Sequence, residues 1–202
     1  MNSRNARLLK ISGISGIITP IVAFTFISLA ITYSPSFVWT DNALSDLGIQ
    51  EGITAPLFNY GLVISGILTL VFACGLFVLL SNRLMGKVGA FIFVLDALAL
   101  TLIGVFPENI TPTHYQVSVA FFALYPISML VIGTSFLLEK QTKTGLFTFL
   151  TAAVAATVWI TYFSTRFVSG VAIPEAVSAL AASAWAIVLG YKMLRETARQ
   201  SK

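Results

Sequence analysis

Apolar stretches of about twenty residues follow one another down this sequence with only short polar segments between them, enough each time for one membrane crossing. The runs cover about 11–33, 57–81, 88–106, 117–138, 146–168 and 174–194, and each spans a hydrocarbon core of about 30 Å as a helix. Lipid offers the backbone no hydrogen bonds, so such a run must pair its N–H and C=O groups internally. A transmembrane barrel would show short segments of alternating polarity, and none is visible. The expected fold class is all-α: a polytopic membrane protein folded as a six-transmembrane-helix bundle. No repeat or linker divides residues 1–202, so a single domain is expected.

Helix-start chemistry agrees with these spans. Thr54 precedes Ala55 and Pro56 as a capping residue, Thr113 and Gln116 have capping-box spacing, Thr144 suits a cap of the fifth span, and Pro174 suits the first turn of the sixth. Small residues four apart, Ala179/Ser183 and Ala182/Ala186 in the sixth span and Gly61/Ser65 in the second, predict tight packing. With Ala152, Ala153, Ala155 and Ala156 in the fifth, they predict that the fifth and sixth helices approach closely. Pro20 and Pro126 fall within spans as kink candidates. Trp39, Tyr60, Tyr115 and Tyr162 suit aromatic belts at the interface. The single cysteine, Cys74, is expected as a small packed side chain between helices.

Charge then sets the orientation. Arg4, Arg7, Lys10, Arg83, Lys87, Lys140, Lys143, Lys192, Arg195, Arg199 and Lys202 gather on one side of the six spans, and Arg166 alone on the other. An excess of Lys and Arg marks the cytoplasmic side, so the protein is expected in the cell membrane with both termini cytoplasmic. Asp41, Asp46, Glu51, Glu108 and Glu175 then fall outside, Glu139 and Glu196 inside. Only 10% of residues are charged and 57% are hydrophobic, where soluble domains carry about a quarter charged. The net charge of +4 does not imply nucleic acid, because the cations stand in small groups at helix ends with no basic face. Arg4, Arg7 and Lys10 ahead of an apolar run, with Ser28-Leu29-Ala30 beyond, resemble a signal peptide. The run from Ile11 to Tyr33 is longer than the roughly 7–15 residues of such a core, so a retained first helix is expected.

Polar residues in so apolar a chain mark two places. In the first outer loop, Thr40 to Gly48, Asn42 is expected to cap a short turn that Gly48 ends, with Leu44 and Leu47 on one face. Asn59, Glu108, His114, Arg166 and Glu175 fall at similar depth. The ligand-binding candidates are therefore Ser45, Asp46, Asn59, Glu108, His114, Arg166 and Glu175. Asp46, Glu108 and His114 are also the catalytic candidates, since carboxylates beside an imidazole perform general acid/base chemistry. The competing reading is structural: Arg166 ion-paired to its acidic neighbours, Glu175 favoured by a helix dipole, and His114 neutral and hydrogen-bonded. A metal on His114 and Glu108 matches no local ligand motif, and one histidine excludes three-histidine zinc sites and bis-histidine haem within one chain. No metal or other cofactor is expected. The second place is Asp96, in the middle of the third span, where an acid is rare and faces the bundle interior. Thr69, Cys74, Tyr125, Ser128, Thr157 and Ser183 lie at comparable depth. Asp96 is either a coupling residue of a transporter or one end of a single polar bond between helices.

The segments Asn42-Ala43-Leu44-Ser45-Asp46-Leu47-Gly48, Phe58-Asn59-Tyr60-Gly61-Leu62 and Gly104-Val105-Phe106-Pro107-Glu108, followed by His114, resemble the domain-of-unknown-function 998 family of small prokaryotic membrane proteins. The resemblance covers nearly the whole chain. It implies that Ser45, Asp46, Asn59, Glu108 and His114 belong to one signature, and it implies no reaction. Ceramidase-type membrane hydrolases offer only an analogy of fold, and their histidine set is missing here. The expected function is non-enzymatic: binding of a membrane lipid, a small ligand or a partner subunit, a second copy of the chain included, at the outer face. The alternatives are a membrane hydrolase or transferase using the outer carboxylates and His114, and a small transporter coupled through Asp96.

Overall fold

The computed structural model describes residues 2–200; Lys202, counted above among the cations of the basic side, lies outside them. The described residues form six helices, α1 (Ser3–Thr32), α2 (Thr54–Leu79), α3 (Leu84–Val105), α4 (Thr113–Leu138), α5 (Thr142–Thr165) and α6 (Ala172–Gln200). A short 3-10 helix, Ser45–Ile49, lies between α1 and α2, and no strand occurs among the described residues. All six α-helices are long and apolar enough to cross a membrane. Each expected span has its helix, but α1 starts at Ser3 and α6 continues to Gln200. Hydropathy marks only the lipid-immersed part, whereas polar helix formers such as Arg7, Lys192 and Arg195 carry the same helix on into water.

The expected caps are corrected. Thr54 and Thr113 are the first helical residues of α2 and α4, preceded by Ile53 and Pro112 with no side-chain cap. Thr54 instead ties the start of α2 to the end of α1, its hydroxyl donating to the Tyr33 carbonyl at 3.1 Å. Gln141, not Thr144, precedes α5. Pro174 does fall in the first turn of α6. In each miss the helix begins earlier than the hydrophobic run, so the polar residue lies inside the first turn.

The helices pack in chain order and close as a ring, α6 returning to α1. The small face of α1 makes the tightest seams. Ser12 and Ser15 each donate a 2.7 Å hydroxyl bond to α2, to the carbonyls of Val71 and Leu68. Gly13 and Gly190 let α1 and α6 meet backbone to backbone: a Cβ on Gly13 would lie 2.8 Å from the Gly190 carbonyl oxygen. The expected close approach of α5 and α6 is thus corrected, for that pair has the thinnest packing in the ring. Ala153 of α5 is exposed, and Ala179, Ala182, Ser183 and Ala186 of α6 line a cavity between α1, α2, α3, α4 and α6.

Two apolar clusters fill the interior. One is built on Phe72, Phe93, Met129, Phe136 and Trp185, the last donating from its indole to Thr148 Oγ1 at 3.0 Å. The other, with Ile27, Leu47, Phe58, Leu62 and Ile103, lies beneath the long α1–α2 connection. Outward positions such as Ile21, Leu150 and Ile160 are exposed apolar side chains, as lipid contact requires. Cys74 joins them: it is exposed on α2 and not packed between helices.

Candidate functional site

The connection between α1 and α2 folds back over the bundle. Leu44 and Leu47 share one face and are buried against the Phe58 cluster, which places the 3-10 helix over the helix mouths. Asn42 does not cap that helix. Its Oδ1 accepts the Val38 N–H at 2.9 Å, and its amide donates to Asp46 Oδ2 at 2.7 Å. The same Asp46 oxygen accepts the Ala43 N–H at 3.0 Å, so Asp46 shapes the loop from within. Three clamps then hold the loop down. Glu175 Oε2 accepts the Leu44 N–H at 2.6 Å, and the Asn59 amide donates to the Gly48 carbonyl at 2.9 Å. The α5–α6 connection donates from Gly170 and Ala172 to the carbonyls of Thr40 and Asn42, at 2.7 and 2.9 Å. Gly170 is required there, because a Cβ would collide with the Asn42 carbonyl.

Beside this lid a cavity of about 650 Å³ opens between α4, α5 and the start of α6. Ser45, Glu108, His114 and Glu175 form its polar end, and Phe122, Trp159, Tyr162 and Phe163 its aromatic wall. Burial first, and then a hydrogen bond to the Asp46 carboxyl and the charge on that group, raise the Glu108 carboxyl from its ordinary value near 4.5 to about 7, against a lowering by a hydrogen bond to Ser45. Glu108 Oε2 and Trp159 Nε1 are both buried with no hydrogen-bond partner among the described residues. His114 is held at both ring nitrogens, Nδ1 2.7 Å from the Phe106 carbonyl and Nε2 3.3 Å from Ser118 Oγ. A carbonyl only accepts, so the proton sits on Nδ1, and in the neutral ring Nε2 accepts from Ser118.

Arg166 departs from expectation. Among the described residues it closes no ion pair; its guanidinium lies over the rings of Tyr162 and Phe163, 4.8 and 5.4 Å from their centroids. It ends α5 in a left-handed conformation, φ 48°, which turns the chain back toward these rings. Tyr162 is accordingly packed inside at 3% exposure, not placed in an interfacial belt. Trp39, Tyr60 and Tyr115 are exposed, as belt residues are.

Of the candidate residues, Ser45, Glu108, His114, Arg166 and Glu175 line this one cavity, while Asp46 and Asn59 hold the lid beside it. No group of three His, Cys, Asp or Glu side chains suited to a metal occurs among the described residues. Sequence reasoning missed the aromatic wall. Its signal was present: Trp159, Tyr162, Phe163 and Arg166 are spaced i, i+3, i+4 and i+7, one face of a helix. Asp96 is 2% exposed, and its Oδ1 has no hydrogen-bond partner among the described residues, which leaves the helix-joining bond, one of its two readings, unmade at that oxygen.

Six long apolar helices closed into a ring, with a polar lid over one end, define a multi-pass integral membrane protein of the helical-bundle class. Within that class the chain belongs to the family described as "Protein of unknown function (DUF998)", which it matches over residues 17–192, as the three signature segments implied. Comparison with curated proteins and with solved structures finds no match.

Proposed function

We propose that the protein binds one amphiphilic molecule with a hydroxylated headgroup in the cavity beside the lid. In this reading the lid faces the exterior and both chain termini the cytoplasm. The observation that carries it is a pair of buried polar atoms, Glu108 Oε2 and Trp159 Nε1, without partners among the described residues and on side chains that line the same cavity. Leaving a buried polar group unpaired costs about 1–3 kcal/mol. Hydroxyls both donate and accept, so a hydroxylated headgroup suits the carboxyl and the indole alike. The wall of Phe122, Trp159 and Phe163 suits an acyl chain. Glu108 and Glu175 at the polar end disfavour a phosphate or carboxylate headgroup there, and Arg166 stands on the aromatic side, its guanidinium over the Tyr162 and Phe163 rings. The exterior placement is supported by Arg83, Lys87, Lys140 and Lys143 in the turns at the other end of the bundle, against Arg166 alone at this one.

The test is thermal unfolding of the protein in detergent micelles, with a monoacylglycerol or the fatty acid of the same chain added. The monoacylglycerol is expected to raise the midpoint and the fatty acid not, with the rise diminished by Glu108→Gln and by Trp159→Phe. Equal shifts from both amphiphiles would overturn the reading.

One observation favours a second reading. A carboxyl raised to about 7, as Glu108 is, is suited to exchange protons near neutrality, which supports a hydrolase or transferase acting on the bound amphiphile. Its mark would be turnover of an ester-linked amphiphile that Glu108→Gln abolishes even at saturating amphiphile.

A further inference from the structure

A deeper cavity of about 130 Å³ lies at the middle of the bundle. Its walls are apolar, with Phe93, Leu100 and Phe121 on one part and the small residues Ala179 and Ala182 of α6 on another. Asp96 and Tyr125 line it, at 2% and 3% exposure. Asp96 Oδ1 is without a hydrogen-bond partner among the described residues, and the Tyr125 hydroxyl near it also faces Thr151. Two other hydroxyls of the wall are committed, Ser65 to the Gly61 carbonyl and Thr69 to the Ser65 carbonyl. The charged residues among those described as lining this cavity are Asp96 and Glu175, and Glu175 is engaged by the Leu44 N–H. An acid at mid-membrane is costly to keep without a partner and marks a site by default.

Size and charge together restrict the occupant. A dry cavity of about 150 Å³ holds one benzene ring, so this one takes a molecule of about one small ring. Carboxyl groups without a facing cation disfavour an anion and favour an amine, which can take up the acid's proton, and aromatic rings such as those of Phe93 and Phe121 in the wall favour the resulting cation further. We propose that this cavity binds a small organic amine, its nitrogen hydrogen-bonded to Asp96 Oδ1 and the Tyr125 hydroxyl and its apolar body packed on the aromatic walls. The site adjoins the amphiphile cavity through Ser45, Ser118, Phe122 and Glu175, but Asp96 and Tyr125 line only this one.

Calorimetric titration of the protein in detergent with benzylamine, benzyl alcohol and toluene tests this. Benzylamine is expected to bind about ten-fold tighter than benzyl alcohol, as a charge-assisted bond allows. Asp96→Asn is expected to bring the two to equal affinity. Ala182→Leu, which narrows the cavity and leaves the acid in place, is expected to weaken all three. Equal affinities in the wild type, no benzylamine binding, or an undiminished preference in Asp96→Asn would each overturn the proposal. The wild-type series decides it even where Asp96→Asn does not fold.

Discussion

Glu175 and Glu108 are acids under the same loop, and their neighbours give them different work. Glu175 holds the Leu44 N–H at 2.6 Å, so Glu175→Ala strands a backbone donor beneath the lid. That loss is expected to destabilise the protein by about 1–3 kcal/mol, read from chemical unfolding in micelles. Glu108 has no such bond at Oε2, and its carboxyl titrates near 7 against about 4.5 when unfolded. Between those values the native chain keeps a proton that the unfolded chain has released. Stability is therefore expected to fall as pH rises from about 4.5 to about 7 and to level off above, with Glu108→Gln flattening that stretch. Asp46, His114 and Glu175 face the same polar end, so the readout is the difference between wild type and variant. Asp46, Glu108, His114 and Glu175 were legible as a group because polar residues stand out in a chain this apolar. Their division was not, since which acid meets a backbone N–H is fixed only when the loop folds back. Arg166 was misread for a related reason: Tyr162, one of the two rings it stacks on, looked like a residue of the interfacial belt in one dimension.

Among the helices, α1 carries the closest packing. Its segment Ser12-Gly13-Ile14-Ser15-Gly16 places two hydroxyls on α2 and Gly13 against Gly190 of α6. A Cβ on Gly190 would stand 2.6 Å from the Gly13 carbonyl oxygen, a backbone atom that cannot swing aside, and 3.0 Å from Ile17 Cγ1. Gly190→Leu is expected to cost about 1–3 kcal/mol by overpacking, seen as a lowered unfolding midpoint, with Leu146→Ala on the exposed face of α5 as a near-neutral control. All six helices were readable from hydropathy because their length is dictated by the bilayer. Their starts and seams were less so. Small residues four apart occur in several helices, and only the closed ring determines that those of α6 face α1 and the deep cavity instead of α5.

For the molecule as a whole, the lid and the sorted cations imply a definite orientation. In a Cys74→Ser background, Asp41→Cys is expected to react with an impermeant thiol reagent on intact cells, and Lys140→Cys only after permeabilisation. The bundle also holds two adjacent volumes that share Ser45, Ser118, Phe122 and Glu175 in their walls, one aromatic and beside the lid, one deep and acidic. Neither volume could be read from the sequence, since each is assembled from residues far apart in the chain. The proposal that the first of them is filled in the membrane is best tested by native mass spectrometry of the protein released from its own bilayer. One bound amphiphile per wild-type chain is expected, and none on a folded Glu108→Gln/Trp159→Phe variant. A wild-type chain that emerges empty, or a variant carrying the same molecule at the same occupancy, would contradict it.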